Sequence, residues 1–338
     1  IAQCLVGSEM CIRDRYTIEQ LREIIKAELD KQEYVEEPYS LFEPIKYIME
    51  DGGKRLRPVL TLMAYNLYRD DIGKALKSAI GIEIFHNYTL LHDDVMDDAE
   101  LRRGRQTVHK KWNSNVAILS GDAAAITAYK YIETCEDPYL RRVIDGFNQV
   151  AMDVCKGQQY DMEFETRDDV TEEEYIQMIY LKTSVLIAGS MRHGALIAGA
   201  PEHEYKELYD FGGYLGLVFQ LQDDYLDVYG DVEEFGKKIG GDILCNKKTY
   251  LLIKAFELAS EEDKALLKEW VVKEKFNPQE KIKEVTEIYN RSGVKEVLRA
   301  KVDDYLEKSR IALDKIEVPE ERKVRFYEMI DFIGKRKK

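Results

Sequence analysis

Apolar residues recur every three to four positions almost from end to end of this chain, as in Leu21, Ile24, Ile25 and Leu29 and again in Tyr175, Ile176, Ile179 and Tyr180. That period places them on one face of a helix, and strand-like alternation is nearly absent. Breakers at Gly52-Gly53, Gly73, Gly104, Pro138, Pro201, the stretch from Gly230 to Gly241, Pro278 and Pro319 fall at intervals that suit long helices. The hydrophobic content, 45% of 338 residues, is enough for a substantial core, and no shift of composition marks a linker. The expected architecture is therefore all-α, a single large helical domain over residues 16–338. The stretch after about Glu261, richer in Lys and Glu, is expected to pack on its outside.

The first residues stand apart. The chain begins at Ile1, and Cys4 to Arg15 resembles translated read-through of a sequencing adapter, so residues 1 to about 15 are expected to be non-native, with a short native arm as the alternative. The remaining Cys135, Cys155 and Cys245 are odd in number and show no CxxC spacing. Neither a disulfide framework nor a zinc site is expected, and a reducing cytoplasm is the default. A net charge of −14 argues against nucleic acid as a partner, and no apolar run reaches the length that would insert stably in a membrane.

Against this background two acidic blocks share one spacing, Asp93-Asp94-Val95-Met96-Asp97 and Asp223-Asp224-Tyr225-Leu226-Asp227. On helices, Asp93 and Asp97 lie on one face a turn apart, as do Asp223 and Asp227. Each pair can hold a hard divalent cation between carboxylate oxygens, and Mg²⁺ bound in this way commonly shares its shell with substrate phosphates. A single acidic cluster in so acidic a chain reads as well as a solvated face. Two of them, each preceded by an apolar run such as Tyr88-Thr89-Leu90-Leu91 or Tyr214 to Phe219, read as the walls of a metal and diphosphate site.

Cations accompany them. Gly52-Gly53-Lys54-Arg55-Leu56-Arg57-Pro58 carries Lys54 and Arg57 three apart, able to converge on one anion. Arg102-Arg103, Lys182-Thr183 and the loop Gly236 to Asp242 add more.

With GGKRLRP, LLHDDVMDDAELRRG, GQQYD, LKTS, FQLQDDYLDVYGD and GKKIGGD in this order between about residues 38 and 255, the chain resembles the trans-isoprenyl diphosphate synthases, the family of farnesyl and geranylgeranyl diphosphate synthases. The resemblance implies a helical bundle of the isoprenoid synthase type with a central apolar cavity, a homodimer, and three Mg²⁺ ions. By position, Asp93 and Asp97 match the ligands of two ions and Asp223 that of the third, with Asp94, Asp98, Asp224 and Asp227 supporting or acting through water. Lys54, Arg57, His86 and Arg103 match the isopentenyl diphosphate site. Arg102, Lys182 and Lys237 match the cations on the allylic diphosphate, Thr183 and Gln220 line the reacting chain, and Gln158 with Asp161 form a polar pair near it. His92, His109, His193 and His203 are read as structural.

The implied chemistry is ionisation of the allylic C–O bond, assisted by Mg²⁺ and cations that neutralise the departing diphosphate. The isopentenyl double bond then attacks, and a proton is lost to the released diphosphate. Expected substrates are isopentenyl and allylic diphosphates, and expected products are C15–C20. In the family a bulky aromatic five residues before the first motif marks short products. Here that residue is Tyr88, with Phe85 about one further turn down the same face, and a helix rises about 1.5 Å per residue, which puts Tyr88 roughly 7–8 Å from Asp93. Small Thr89 and a first motif without insertion lean toward geranylgeranyl over farnesyl diphosphate. A terpene cyclase would carry a different second motif, and a regulatory subunit would lose one. Two alternatives stand: a longer-chain polyprenyl diphosphate synthase, and an acidic metal-binding helical scaffold without catalysis.

Overall fold

The computed structural model describes residues 16–32, 36–50, 52–136, 138–230 and 239–334. The N-terminal segment set apart above and Lys237 lie outside them. Helices dominate the described residues, as the periodicity requires, and none is long and apolar enough to cross a membrane. Cα packing groups the chain into two compact units: Ile1–Gln149 with Gly189–Tyr209 and Glu317–Lys323, and Val150–Ala188 with Asp210–Ile316 and Val324–Lys338.

The first unit contains α1 (Ile18–Leu29), α2 (Tyr39–Glu50), α3 (Leu56–Asn66), α4 (Gly73–Met96), α5 (Val108–Lys111) and α6 (Ser114–Ile132). It also takes the start of α7 (Leu140–Glu165), most of α9 (Val185–Ala198) and the start of α10 (Glu202–Tyr229). Helix α1 begins at a capping box, with Thr17 and Gln20 bonding each other's backbone N–H, and buries Leu21 and Ile25. Beyond the exposed Lys74 and Lys77, helix α4 has no polar stripe before His86. Ala75, Ser78, Ala79, Ile80, Ile82, Ile84 and Phe85 are all buried, so it is the core helix of this unit, packed against α3 and α6. Small residues on α6, Ala117, Ala124 and Ala128, are buried, while Ile118, Leu119 and Ile126 point outward at 44%, 60% and 62% exposure.

Past the end of α4 stands a feature the helical pattern concealed, a two-stranded hairpin of β1 (Leu101–Arg102) and β2 (Arg105–Gln106). Its two-residue loop, Arg103-Gly104, has positive φ at both positions, 52° and 80°. That is the type I′ geometry whose twist matches paired strands, and it accounts for the glycine after the arginines.

The second unit holds the rest of α7, α8 (Glu172–Ile179), a π-helical turn (Tyr180–Ser184) and the rest of α10. It continues through α11 (Gly241–Leu244), α12 (Tyr250–Leu258), α13 (Glu261–Val272), α14 (Pro278–Arg291), α15 (Val294–Asp314) and most of α16 (Glu320–Gly334). The stretch after Glu261, expected on the outside, is amphipathic and completes the core of this unit. Leu267, Trp270, Val285, Ile288, Tyr289, Leu298 and Leu313 are buried, Phe326 packs edge-on against Phe211, and Tyr305 stacks on Tyr214. Lys and Glu occupy the opposite faces of the same helices, which is why composition alone misplaces them.

In the first unit, the small residues around Gly194 serve packing, since a Cβ on Gly194 would fall 2.0 Å from the Thr61 carbonyl oxygen of α3. The neighbouring His193 is buried with its Nε2 2.5 Å from Ser78 Oγ. Burial, helped by Arg192, holds its pKa down to about 3. The unfolded chain therefore takes up a proton as pH falls through about 6.5 while the folded one does not, so stability present above that pH is lost as pH drops toward 3. Between pH 7 and pH 5 this site alone should cost about 2 kcal/mol of unfolding free energy. Denaturant unfolding of His193→Gln should lose less stability over that interval than the unsubstituted protein, and equal losses would refute the assignment.

Candidate active site

In the first unit the candidate groups lie on α3, α4 and the hairpin. The segment Gly53–Arg55 is irregular, and Arg55 enters α3 in the left-handed region at φ 47° with no side-chain cap. Its guanidinium turns inward, donating to Glu83 Oε1 at 2.8 Å and to the Met49 carbonyl. Lys54 is exposed, whereas Arg57, the second residue of α3, is half-buried and donates through Nη1 to His86 Nε2 at 3.0 Å. Burial, against the pull of Glu83, brings the Arg57 guanidinium down to about 10, still charged at neutral pH. Burial and then the surrounding arginines hold His86 well below its ordinary value, so the imidazole is neutral, accepts through Nε2 and carries its proton on Nδ1. A half-buried guanidinium whose hydrogen-bond partner is a neutral ring is a site that favours an arriving anion.

Asp93 and Asp97 close α4. The Asp97 N–H donates to the Asp93 carbonyl at 2.9 Å, the helical bond that sets the two carboxylates a turn apart on one face, Asp93 half-buried and Asp97 exposed. Their donor set is oxygen alone, which fits a hard divalent cation. Asp94 points elsewhere. It is 3% exposed and accepts Arg102 Nε at 2.7 Å and Nη2 at 2.6 Å, with Arg102 Nη2 also 3.6 Å from Asp93 Oδ2. Burial raises the Asp94 carboxyl and Arg102 opposes the rise. The arginine after the first acidic motif thus braces that motif, and Arg103, in the hairpin turn, lies against Gly53, where a Cβ would be 3.0 Å from its guanidinium carbon.

Phe85 and Tyr88 lie on α4 with ring centroids 5.3 Å apart. The column continues in both directions, from Tyr88 to His92 at 4.7 Å and from Phe85 to Phe147 of α7 at 4.9 Å, then Phe147 to Tyr129 of α6 at 5.0 Å. Phe147 and Tyr129 carry no motif, and sequence reasoning passed over them.

In the second unit, Asp223 and Asp227 are half-buried on one face of α10. Asp227 Oδ2 accepts the Asp242 N–H at 3.0 Å and its carbonyl accepts the Gly240 N–H at 2.6 Å, tying the end of the glycine loop to the second acidic motif. Asp224 is turned into the protein, accepting the Tyr175 hydroxyl, the Tyr250 N–H at 3.3 Å and Gln220 Nε2 at 3.4 Å. Burial first, then the charge of Asp242, push its carboxyl up to about 7. Asp94 and Asp224, included among the metal ligands as supporting groups, are thus each buried among protein donors.

The motifs LKTS and GQQYD are one physical unit. LKTS is the π-helical turn, and Lys182 on it donates to Asp161 Oδ2 of α7 at 2.6 Å. Thr183 donates to Gln220 Oε1 at 3.1 Å. π-Helical turns widen the helix and commonly mark functional segments. Gly157 is the condition for this contact, because a Cβ there would fall 2.2 Å from the Lys182 nitrogen. Four further residues with site contacts, Glu83, Tyr175, Tyr250 and Asp242, went unassigned in the sequence. Glu83 alone left a signal there, a lone carboxylate inside an apolar helix run.

Against known proteins, the profile of the polyprenyl synthetase family matches residues 38–289. The chain is 38% identical over 290 residues to a short chain isoprenyl diphosphate synthase of Methanothermobacter thermautotrophicus, covering 85% of this chain and 87% of that one. A crystal structure of a geranylgeranyl pyrophosphate synthase, 42% identical, superposes with a TM-score of 0.91 over 96% of this chain and all of the other. A polyprenyl synthase of Caulobacter crescentus, solved with calcium and isoprenyl diphosphate, is 26% identical with a TM-score of 0.84 over 95% of this chain and 97% of the other.

Substituting Gly157 with Ala should force α7 away from the π-helical turn and destabilise the protein by about 1–3 kcal/mol, the usual cost of overpacking. Gly157→Val should cost more. Denaturant midpoints that stay unchanged in both variants would show that the close approach is not required.

Proposed function

The chain belongs to the polyprenyl synthetase family, and on that premise we propose that it condenses isopentenyl diphosphate with allylic diphosphates to C15–C20 products, with geranylgeranyl diphosphate favoured. It is a prenyltransferase, and its family uses a divalent metal. The observation that carries the reading is the pairing of carboxylates on α4, Asp93 with Asp97, beside the Arg57–His86 anion site of the same unit.

Asp93 and Asp97, and in the second unit Asp223 with Asp227, are the groups that would hold the metal, assigned as three Mg²⁺ ions. Bound there, the metal would supply Lewis-acid neutralisation of diphosphate charge. Arg57, Lys54 and Arg103 bind the isopentenyl headgroup, and His86 orients Arg57 by accepting its N–H. Lys182 binds the allylic diphosphate, steadied by Asp161, and Arg102, braced on Asp94, serves the same anion, as Lys237 does by position. These cations favour C–O ionisation because the departing diphosphate carries more charge than the bound ester. Thr183 and Gln220, bonded to each other, line the reacting chain, and the proton lost after coupling leaves with the diphosphate.

The aromatic column on α4 is the proposed floor. Phe85 is buried and backed by Phe147, so a chain growing along this face meets rings rather than space, which supports short products. Exposed Ile118, Leu119 and Ile126 on α6 form the apolar stripe that suits burial against a second copy, in line with a homodimer. Exposed thiols at Cys155 and Cys245 suit a reducing, cytoplasmic setting.

Asp93→Ala and Asp223→Ala should each lower kcat by about 10²–10³-fold, the scale of losing one group that stabilises developing charge. Chelation by EDTA should abolish turnover and Mg²⁺ restore it. Diphosphate release assayed with dimethylallyl and isopentenyl diphosphates tests both, and near-normal turnover in the two variants at saturating Mg²⁺ would overturn the metal assignment. In product analysis, Tyr88→Ala should lengthen the prenyl chain, and Phe85→Ala/Tyr88→Ala should lengthen it further. An unchanged product from the double variant would remove the floor.

A further inference from the structure

The segment Gly52–Arg55, which carries Lys54 and leads into Arg57 at the start of α3, has a backbone that no regular element holds. Arg55 sits in the left-handed region at φ 47°, a conformation a long side chain adopts at a cost and keeps only when its surroundings impose it. Beside this segment lies a cavity of about 780 Å³, bordered by Arg22, Leu29, Lys46, Met49, Gly53 and Arg55, and directional polar contacts tie the segment to its neighbours. Three such contacts are present, from two residues. From inside, Glu83 of α4, 2% exposed, accepts Arg55 at 2.8 Å, and the Met49 carbonyl accepts the same guanidinium. From α1, Arg22 Nε donates to the Lys54 carbonyl at 3.1 Å.

Glu83 also governs Arg57. It is the carboxylate whose charge offsets the burial of that guanidinium, and its second oxygen, Oε2, is buried without a hydrogen bond. One helical turn separates Glu83 from His86, so α4 sets the carboxylate and the imidazole on the same side toward α3.

We propose that Glu83 and Arg22 are positioning residues for the isopentenyl diphosphate headgroup, Glu83 fixing the turn at Arg55 that leads into Arg57, Arg22 fixing the backbone that carries Lys54. The inference rests on the reading of Lys54 and Arg57 as headgroup ligands. Preorganised donors bind an anion more tightly than donors ordered on arrival, because the entropy of ordering is already spent in folding. Loss of either anchor therefore weakens one substrate selectively.

Steady-state kinetics of the full chain, with isopentenyl and dimethylallyl diphosphates varied in turn, tests this. Glu83→Gln keeps shape and removes charge, and should raise the KM for isopentenyl diphosphate about tenfold or more, the effect of one weakened charge-assisted contact, with kcat and the KM for dimethylallyl diphosphate little changed. Arg22→Ala should act in the same direction more weakly, and Arg22→Lys, which retains a donor, should recover most of the loss. Arg57→Ala separates the two ideas. If it leaves the isopentenyl KM unchanged, the headgroup assignment fails. If it raises that KM while Glu83→Gln and Arg22→Ala do not, the positioning roles are wrong. A parallel fall in kcat and in affinity for both substrates would also overturn them, marking a merely structural effect. Should Glu83→Gln fail to fold, the Arg22 pair decides.

Discussion

Buried charge on helix α4 is the constraint around which the first unit is arranged. Glu83 and Asp94 lie at 2% and 3% exposure on a helix whose other buried residues are apolar apart from Ser78 and Asn87, and a carboxylate in that position is tolerated only when paired and hydrogen-bonded. Arg55 answers Glu83 and Arg102 answers Asp94. These two arginines come from the segments that carry the proposed headgroup cations Lys54, Arg57 and Arg103, so satisfying the buried acids also anchors those segments. The Arg55–Glu83 pair holds the left-handed backbone at Arg55, while that at Arg103 belongs to the type I′ turn of the hairpin.

The second unit solves a similar problem by other means. Asp224 is buried, and its donors are neutral: a tyrosine hydroxyl, a backbone N–H and a glutamine amide. Burial, and then the charge of Asp242, lifts its carboxyl to about 7 against the pull of Lys247, where Asp94 is restrained by its arginine. The two acidic motifs are alike in spelling and different in electrostatics. Lys182, in turn, owes its place to a π-helical turn and to the absence of a side chain at Gly157 on the neighbouring helix.

The acidic motifs, the basic segment before α3 and the order of all six motifs were legible because each is a local pattern whose chemistry follows from spacing on one helix. Glu83 was visible only as an anomaly, a carboxylate between Ile82 and Ile84. Its meaning needed Arg55, 28 residues away, to be seen on it. Phe147 and Tyr129 were illegible for a related reason. An aromatic at helical spacing is ordinarily core, and only the contact of Phe147 with Phe85 makes it the backing of the floor. The hairpin escaped because two-residue strands are too short for alternation to register. The acidic and basic composition after Glu261 misled because a helix can carry charge on one face and complete a core with the other.

The sequence by itself determined that the chain is helical, where its carboxylate pairs and clustered cations lie along it, and which family its motifs match. Periodicity and i, i+4 spacing are properties of a single helix and need no partner. Tertiary structure alone decided which acids of each motif turn inward, which arginines pair with those buried acids, and what stands behind Phe85. Those outcomes depend on burial, and burial is set by residues distant in the chain: the same Asp-Asp pair is split into a half-exposed Asp93 and a buried Asp94 because Arg102 and its hairpin cover one side of α4 and not the other.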